Sequence, residues 1–430
     1  MVEFNPGDKI KITTRVQEYV GILMPRPKLA DDEHIILKLG NGYNIGILKS
    51  EIISAVLVGK YVKPMKSRQK NKAASVGPKV SILSTGGTIS SKIDYQTGGV
   101  NASYTADDLL DAAPELADIA QIDCRSIMNV MSEDMTPALW VKMAEEAVKE
   151  LGKHDGVVLT HGTDTMHYSS AALSFFIRDL GKPVVFTGSQ RSSDRGSSDS
   201  FMNLVCSTIF AKSDYAGVSL VMHGSINDNF CLAHQGTRVR KMHTSRRDAF
   251  KSINNMPLAK VYSNGKIDIL TERYASRSGS KPTLDTKIDE KVGFIKVYPG
   301  MDPKIVEFYV DNGYHGIVFE GTALGHVPTT VADKSLIPSI EYARENNVLM
   351  IMVTQCLYGR VHPLVYANLR EVSSRGVIYC GDMLPETSYV KLMWVLGHTR
   401  EPEHVRDMML RDYVGEISAR SLITDGETGF

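Results

Sequence analysis

Two threonines flanked by glycine are the residues best placed for chemistry. Thr88, in Ser84-Thr85-Gly86-Gly87-Thr88, follows the apolar run Lys79–Leu83, and Thr163, in His161-Gly162-Thr163-Asp164, follows Gly156–Leu159. In an open α/β sheet, ligands bind where strands end, so both hydroxyls are expected to face one pocket. The glycines beside them let backbone N–H groups come close to a ligand. A threonine hydroxyl is a weak nucleophile on its own. It needs a base, an acid for the leaving group and donors for an oxyanion. Tyr95, Asp164, Lys241 in Val239–Thr244, and backbone N–H groups near Gly87 and Thr163 are candidates for those tasks. Ser132 and Glu133 stand just ahead of a helical segment, where they fit either ligand binding or an N-cap and first-turn carboxylate.

The surrounding elements explain how such residues would be held. From Lys79 onward, apolar strands alternate with helical patterns. Leu139–Leu151 has helical spacing, with Thr136 and Pro137 suited to its N-cap and first turn, and Pro183–Phe186 and Val218–Met222 add strands. This alternation predicts a parallel sheet with helices on both faces. Residues 252–291 break the pattern. A second α/β unit follows, with strands expected at Gly293–Val297, Gly316–Phe319, Val348–Val353 and Gly376–Tyr379. Ahead of all this, Val16–Leu23, His34–Leu39 and Tyr43–Ile47 read as short strands, the last two joined around Asn41-Gly42, a hairpin signal. The reading is therefore a small β-barrel over 1–63, a basic linker over 64–78, an α/β domain with the active site over 79–270, and an interdomain segment with a smaller α/β domain over 271–430.

Composition removes several other classes. The 430 residues carry no formal net charge, which argues against a broad nucleic-acid-binding face, and the basic linker reads as solvated. The five cysteines, Cys124, Cys206, Cys231, Cys356 and Cys380, are scattered without a C-x-x-C pair, as expected for a reducing compartment and not for a zinc site. His161 and His223 follow apolar strands and are expected to be structural, so no metal site is assigned. The run Arg238–Lys241 is expected to serve the active site or solvent. Without a signal-peptide pattern or an apolar run long enough to cross a bilayer, the chain is expected to be cytoplasmic.

Thr85-Gly86-Gly87-Thr88-Ile89 and Thr160-His161-Gly162-Thr163-Asp164-Thr165-Met166 resemble the two signatures of the bacterial-type L-asparaginase/glutaminase family. Lys241-Met242-His243-Thr244, with Ala249–Ser252 beyond it, resembles that family's lysine segment. The resemblance runs from about Lys79 to the C-terminus. It implies that Thr88 attacks a side-chain amide, with Tyr95 as the accompanying loop tyrosine. Thr163, Asp164 and Lys241 would form the second catalytic group, and Ser132 and Glu133 would hold the amino-acid end of the substrate. The segment Val297–Asp302 shows no amide-bearing element of the kind that a neighbouring subunit contributes in simple asparaginases, so no site residue is assigned there.

The extra N-terminal segment and the linker are similar to those of the asparaginase-like subunits in archaeal glutamyl-tRNA(Gln) amidotransferases. That resemblance implies ammonia release for a partner E subunit, which uses ATP and Mg to convert Glu-tRNA(Gln) to Gln-tRNA(Gln). It also implies a homodimer within a heterotetramer, tRNA met only through the partner, and no cofactor in this chain. The sequence has no G-x-x-x-x-G-K-[ST] loop, which fits nucleotide chemistry on a partner. A stand-alone asparaginase with an appendage and a non-catalytic amino-acid-binding scaffold remain as alternatives.

Overall fold

Four strands near the middle of the chain, Lys79–Ser84, Gly156–Thr160, Pro183–Thr187 and Gly217–His223, are buried on both faces, so each must be covered by helices twice over. In the computed structural model they form one parallel array, with the more polar Gln121–Ser126 at its edge. Every residue of Gly156–Thr160 and Pro183–Thr187 is buried. The structure describes residues 4–24, 33–40, 44–60, 77–86, 91–93, 100–102, 115–191, 198–272 and 274–421. Thr88, Tyr95, the Asn41-Gly42 turn and most of the 64–78 linker lie outside the described residues.

One face of the array is covered by the helices Pro137–Leu151 and Met166–Phe176, the other by Ser200–Ala211. The first of these begins with Thr136 at its N-cap position and Pro137 in its first turn, as its sequence indicates. The array then continues differently from the simple strand–helix alternation. Cys231–Gln235, Ala259–Val261 and Ile267–Ile269 add to it antiparallel, giving an eight-stranded mixed sheet. The last two strands have three residues each, too short for an apolar period to show among the turn residues around them. Val239–Lys241 pairs with Phe250–Ser252 in a separate two-stranded ribbon.

The C-terminal unit is a four-stranded parallel sheet in the order Val292–Lys296, Gly316–Gly321, Leu349–Thr354, Ile378–Tyr379. Its helix Pro385–Leu396 packs at the seam between the units. Trp394 stacks on Phe175 at 5.8 Å, and one buried cluster includes Phe175 and Phe176 with Val318, Ile351 and Trp394. The N-terminal residues form a five-stranded antiparallel sheet from Lys9–Thr14 to Ile52–Gly59, around Ile10, Ile12, Leu37 and Ile47. Within it His34–Leu39 and Asn44–Leu48 pair antiparallel.

No helix of the described residues is long and apolar enough to cross a membrane.

Candidate active site

Lys79–Ser84 and Gly156–Thr160 lie side by side, with Ser84 opposite Thr160, so the two glycine-rich segments leave the sheet together. Thr85 secures the exit, because its amide and its hydroxyl both donate to the Thr160 carbonyl, at 3.0 and 2.9 Å. Gly86 follows with φ +109°, and a Cβ there would come within 2.6 Å of the Val130 carbonyl oxygen. Only glycine fits that turn.

On the second segment, Gly162 packs against Ser132, where a Cβ would meet the serine Cβ at 2.7 Å. The Thr165 hydroxyl donates to the Ser132 carbonyl at 2.6 Å, tying the two loops. Ser132 is buried in a single 3-10 turn, Ser132–Asp134, ahead of the helix that Thr136 begins, so it is not the helix N-cap. Glu133 beside it is exposed. Thr165 stands inside the second signature, but its loop-tying role depends on Ser132, 33 residues away, and so leaves no local pattern.

The centre of the site is a three-residue contact across the ribbon. Lys241 Nζ donates to Thr163 Oγ1 at 2.8 Å and to Asp164 Oδ1 at 2.7 Å. The lysine side chain is 10% exposed and the Asp164 side chain 66%, so the ammonium is shielded while the carboxylate faces outward. The structure thus brings Thr163, Asp164, Lys241 and Ser132 to one strand end.

Behind this group the imidazoles are fixed. His161 Nδ1 donates to the Gly162 carbonyl at 2.7 Å, and Nε2 accepts from Ser169 Oγ at 2.9 Å, which in turn accepts from Trp140 Nε1 at 3.0 Å. That network defines one neutral tautomer. His223 is equally structural, between Asn203 Oδ1 at 2.6 Å and Asp228 Oδ1 at 3.0 Å. No group of three His, Cys, Asp or Glu residues that could hold a metal ion occurs among the described residues.

Burial disfavours the cation and lowers the pKa of His161 to about 4, and those of His167 and His234 to about 3. The unfolded chain, with ordinary histidines near 6.5, therefore binds more protons below that pH. The stability contributed by the three neutral rings is complete above pH 6.5 and is lost as the pH falls toward the folded values. Each adds a slope of about 1.4 kcal/mol per pH unit inside that window. Urea midpoints should hold from pH 7 to about 6.5 and drop from there to pH 5, and a flat profile would contradict the assignment.

The basic run Arg238–Lys241 splits in three directions, which corrects its expected use by active site or solvent. Lys241 enters the site. Arg240 Nε meets Glu386 Oε1 at 2.9 Å. Arg238 is only 1% exposed and binds Asp382, Gly415 and Ser418 of the C-terminal unit. Side chains alternate along a strand, so adjacent residues of one basic run reach opposite faces.

Residues 79–275 match the family model "Asparaginase, N-terminal", residues 291–409 match "Glutaminase/Asparaginase C-terminal domain", and residues 4–58 match "GatD N-terminal domain". The D subunit of the glutamyl-tRNA(Gln) amidotransferase from Pyrococcus horikoshii is 52% identical over 423 residues, covering 96% of this chain and 95% of its own. The corresponding D subunit from Methanothermobacter thermautotrophicus is 49% identical over 420 residues, covering 97% and 95%. Among solved structures, the thermostable L-asparaginase from Thermococcus kodakarensis superposes with a TM-score of 0.72 at 34% identity, covering 80% of this chain and 100% of its own.

Proposed function

Since the chain belongs to the glutaminase/asparaginase family, and along nearly its full length to the family of glutamyl-tRNA(Gln) amidotransferase D subunits, we propose that it hydrolyses a side-chain amide and passes the ammonia to a partner subunit. The observation that carries the chemistry is the fork from Lys241 Nζ to Thr163 Oγ1 and Asp164 Oδ1. A lysine held against a hydroxyl and a carboxylate is equipped to move a proton at the hydroxyl oxygen.

In this reading Thr88 Oγ attacks the carbonyl carbon of glutamine or asparagine, with Tyr95 beside it to handle the hydroxyl proton. Ser132 and Glu133 hold the amino-acid end, and Asp164 is shared between Lys241 and the substrate α-ammonium group. Backbone N–H groups near Gly87 and Thr163 stabilise the oxyanion. The C–N bond breaks as Lys241 gives a proton through Thr163 to the nitrogen, the Thr88 proton leaves by way of Tyr95 to solvent, ammonia departs, and an ester remains on Thr88. A water molecule then attacks the ester, giving up a proton through Thr163 to the now neutral Lys241, while Thr88 Oγ regains a proton by way of Tyr95 and glutamate or aspartate departs. The net change is amide plus water to acid plus ammonia.

The ammonia is assigned to a partner because residues 4–58 match the GatD N-terminal domain and the chain matches a D subunit over 96% of its length, whereas the L-asparaginase structure covers 80% of it. The partner is an E-type subunit that binds Glu-tRNA(Gln), ATP and Mg, joined to a homodimer of this chain in the cytoplasm. Affinity capture of the chain from its native extract should bring down a tRNA-binding, ATP-hydrolysing protein. The chain alone should release ammonia slowly from glutamine and asparagine. Adding that partner with ATP, Mg and charged tRNA should raise the rate. Fast hydrolysis that ignores all three would establish a stand-alone asparaginase instead.

A further inference from the structure

Glu386 stands in the first turn of the helix Pro385–Leu396, in the C-terminal unit, yet its carboxylate reaches across the seam. Oε1 lies 2.9 Å from Arg240 Nε and 3.8 Å from His167 Nε2, and the side chain is only 7% exposed. Its other oxygen, Oε2, is buried with no hydrogen-bond partner among the described residues, as is Nδ1 of His167. Burial raises the Glu386 pKa, with Arg240 opposing the shift. A buried, half-satisfied carboxylate is a poor way to gain stability, since a hydrophobic side chain would serve there at lower cost. The value of such a group lies in the arrangement it enforces.

That arrangement concerns the ribbon carrying Lys241. Val239–Lys241 has three residues and, among the described residues, pairs only with Phe250–Ser252, outside the main sheet. An isolated two-stranded ribbon has little of its own to fix its twist. Neighbouring side chains on a strand point to opposite faces, so a grip on Arg240 from one side sets how Lys241 is presented on the other. His167, three residues after Asp164, is the second residue of the helix behind the second signature, and the same carboxylate packs against it.

We infer that Glu386 is a positioning residue: by clamping Arg240 beside His167, it holds Lys241 in line with Thr163 and Asp164, so the C-terminal unit sets the geometry of the site. This rests on the amidohydrolase reading. The role predicts a loss of turnover without a matching loss of substrate affinity.

The test uses the full chain with whatever subunits copurify with it, and follows ammonia release from glutamine and asparagine per titrated active site. Glu386→Gln keeps the volume and removes the charge. It should lower kcat by about 10–100-fold, the scale of a misplaced catalytic group. KM should stay within about threefold, because ground-state contacts are untouched. Arg240→Gln should match it, and the double variant should fall no further than the worse single. Effects that multiply, or a folded Glu386→Gln variant with wild-type kcat, would overturn the inference. Should Glu386→Gln fail to fold, Arg240→Lys carries the test, since it keeps the charge but loses the Nε contact. Reduced kcat at unchanged KM is expected, and wild-type kcat refutes the clamp. Lys241→Met, measured alongside, separates the two levels. An active Lys241→Met variant would sink the amidohydrolase reading, whereas an inactive one beside a fully active Glu386→Gln would sink only the positioning role.

Discussion

Lys241→Met is expected to lower amide hydrolysis by about a thousandfold, the middle of the range for removing a positioned acid–base group. Methionine keeps an unbranched chain of similar length, so the space under the ribbon stays filled. What disappears is the only side chain that the structure shows donating to Thr163 Oγ1 among the described residues. Asp164 is left without its ammonium, but its side chain is 66% exposed and water can replace the lost partner. The fold should therefore survive while both steps of the reaction lose their proton relay. The loss should appear in kcat and kcat/KM together, since the relay acts in the transition state. Thr88→Ala, which deletes the attacking oxygen, should be at least as severe. A folded Lys241→Met enzyme retaining more than about a tenth of wild-type turnover would remove the lysine from the mechanism.

The threonine–aspartate–lysine group was legible in the sequence because most of it is local. Thr163 and Asp164 follow one apolar strand directly, and the glycines that admit the close turns, Gly86 and Gly162, stand in the same short motifs. Lys241 lies farther along the chain, and its motif rather than any periodicity drew attention to it. Other parts were hidden for identifiable reasons. The three-residue strands of the antiparallel extension bury too little to leave a period. Ser132 looks equally like a cap or a ligand-binding residue, and only the packing of Gly162 against it shows it held inside a turn. Glu386 and Arg238 were invisible as functional partners because each finds its counterpart in the other α/β unit. A sequence shows that a charge exists, but not which distant charge will be folded against it.

Arg238→Met should cost about 3–5 kcal/mol of stability, the usual penalty for breaking a buried ion pair from one side. The guanidinium uses each of its nitrogens. Nε donates to the Gly415 carbonyl at 2.8 Å, Nη1 to the Asp382 carbonyl and Oδ2 at 3.1 Å each, and Nη2 to Ser418 Oγ at 2.9 Å. Methionine replaces the stem but none of these donors. Asp382, itself 1% exposed, would keep Ser418 N as a donor to Oδ1 and have no cation for Oδ2. The segment 412–418 is gripped from the other side by Lys391, buried with Glu416 at 2.6 Å. Two buried cations, one from each α/β unit, thus close on the same stretch of chain. Loss of the first should loosen 412–418 on the N-terminal unit, where Gln235 Nε2 still donates to the Val414 carbonyl, while Lys391 keeps it on the C-terminal one. Hydrogen exchange should accordingly accelerate at Gly415 and Ser418 before it does in the parallel strands, and the urea midpoint should fall. Arg238→Met combined with Asp382→Asn should recover part of the loss, because the double variant no longer buries an unpaired charge. A destabilisation below about 1 kcal/mol in the single variant would mean that the seam is held by its shared apolar core alone, with Arg238 a passenger.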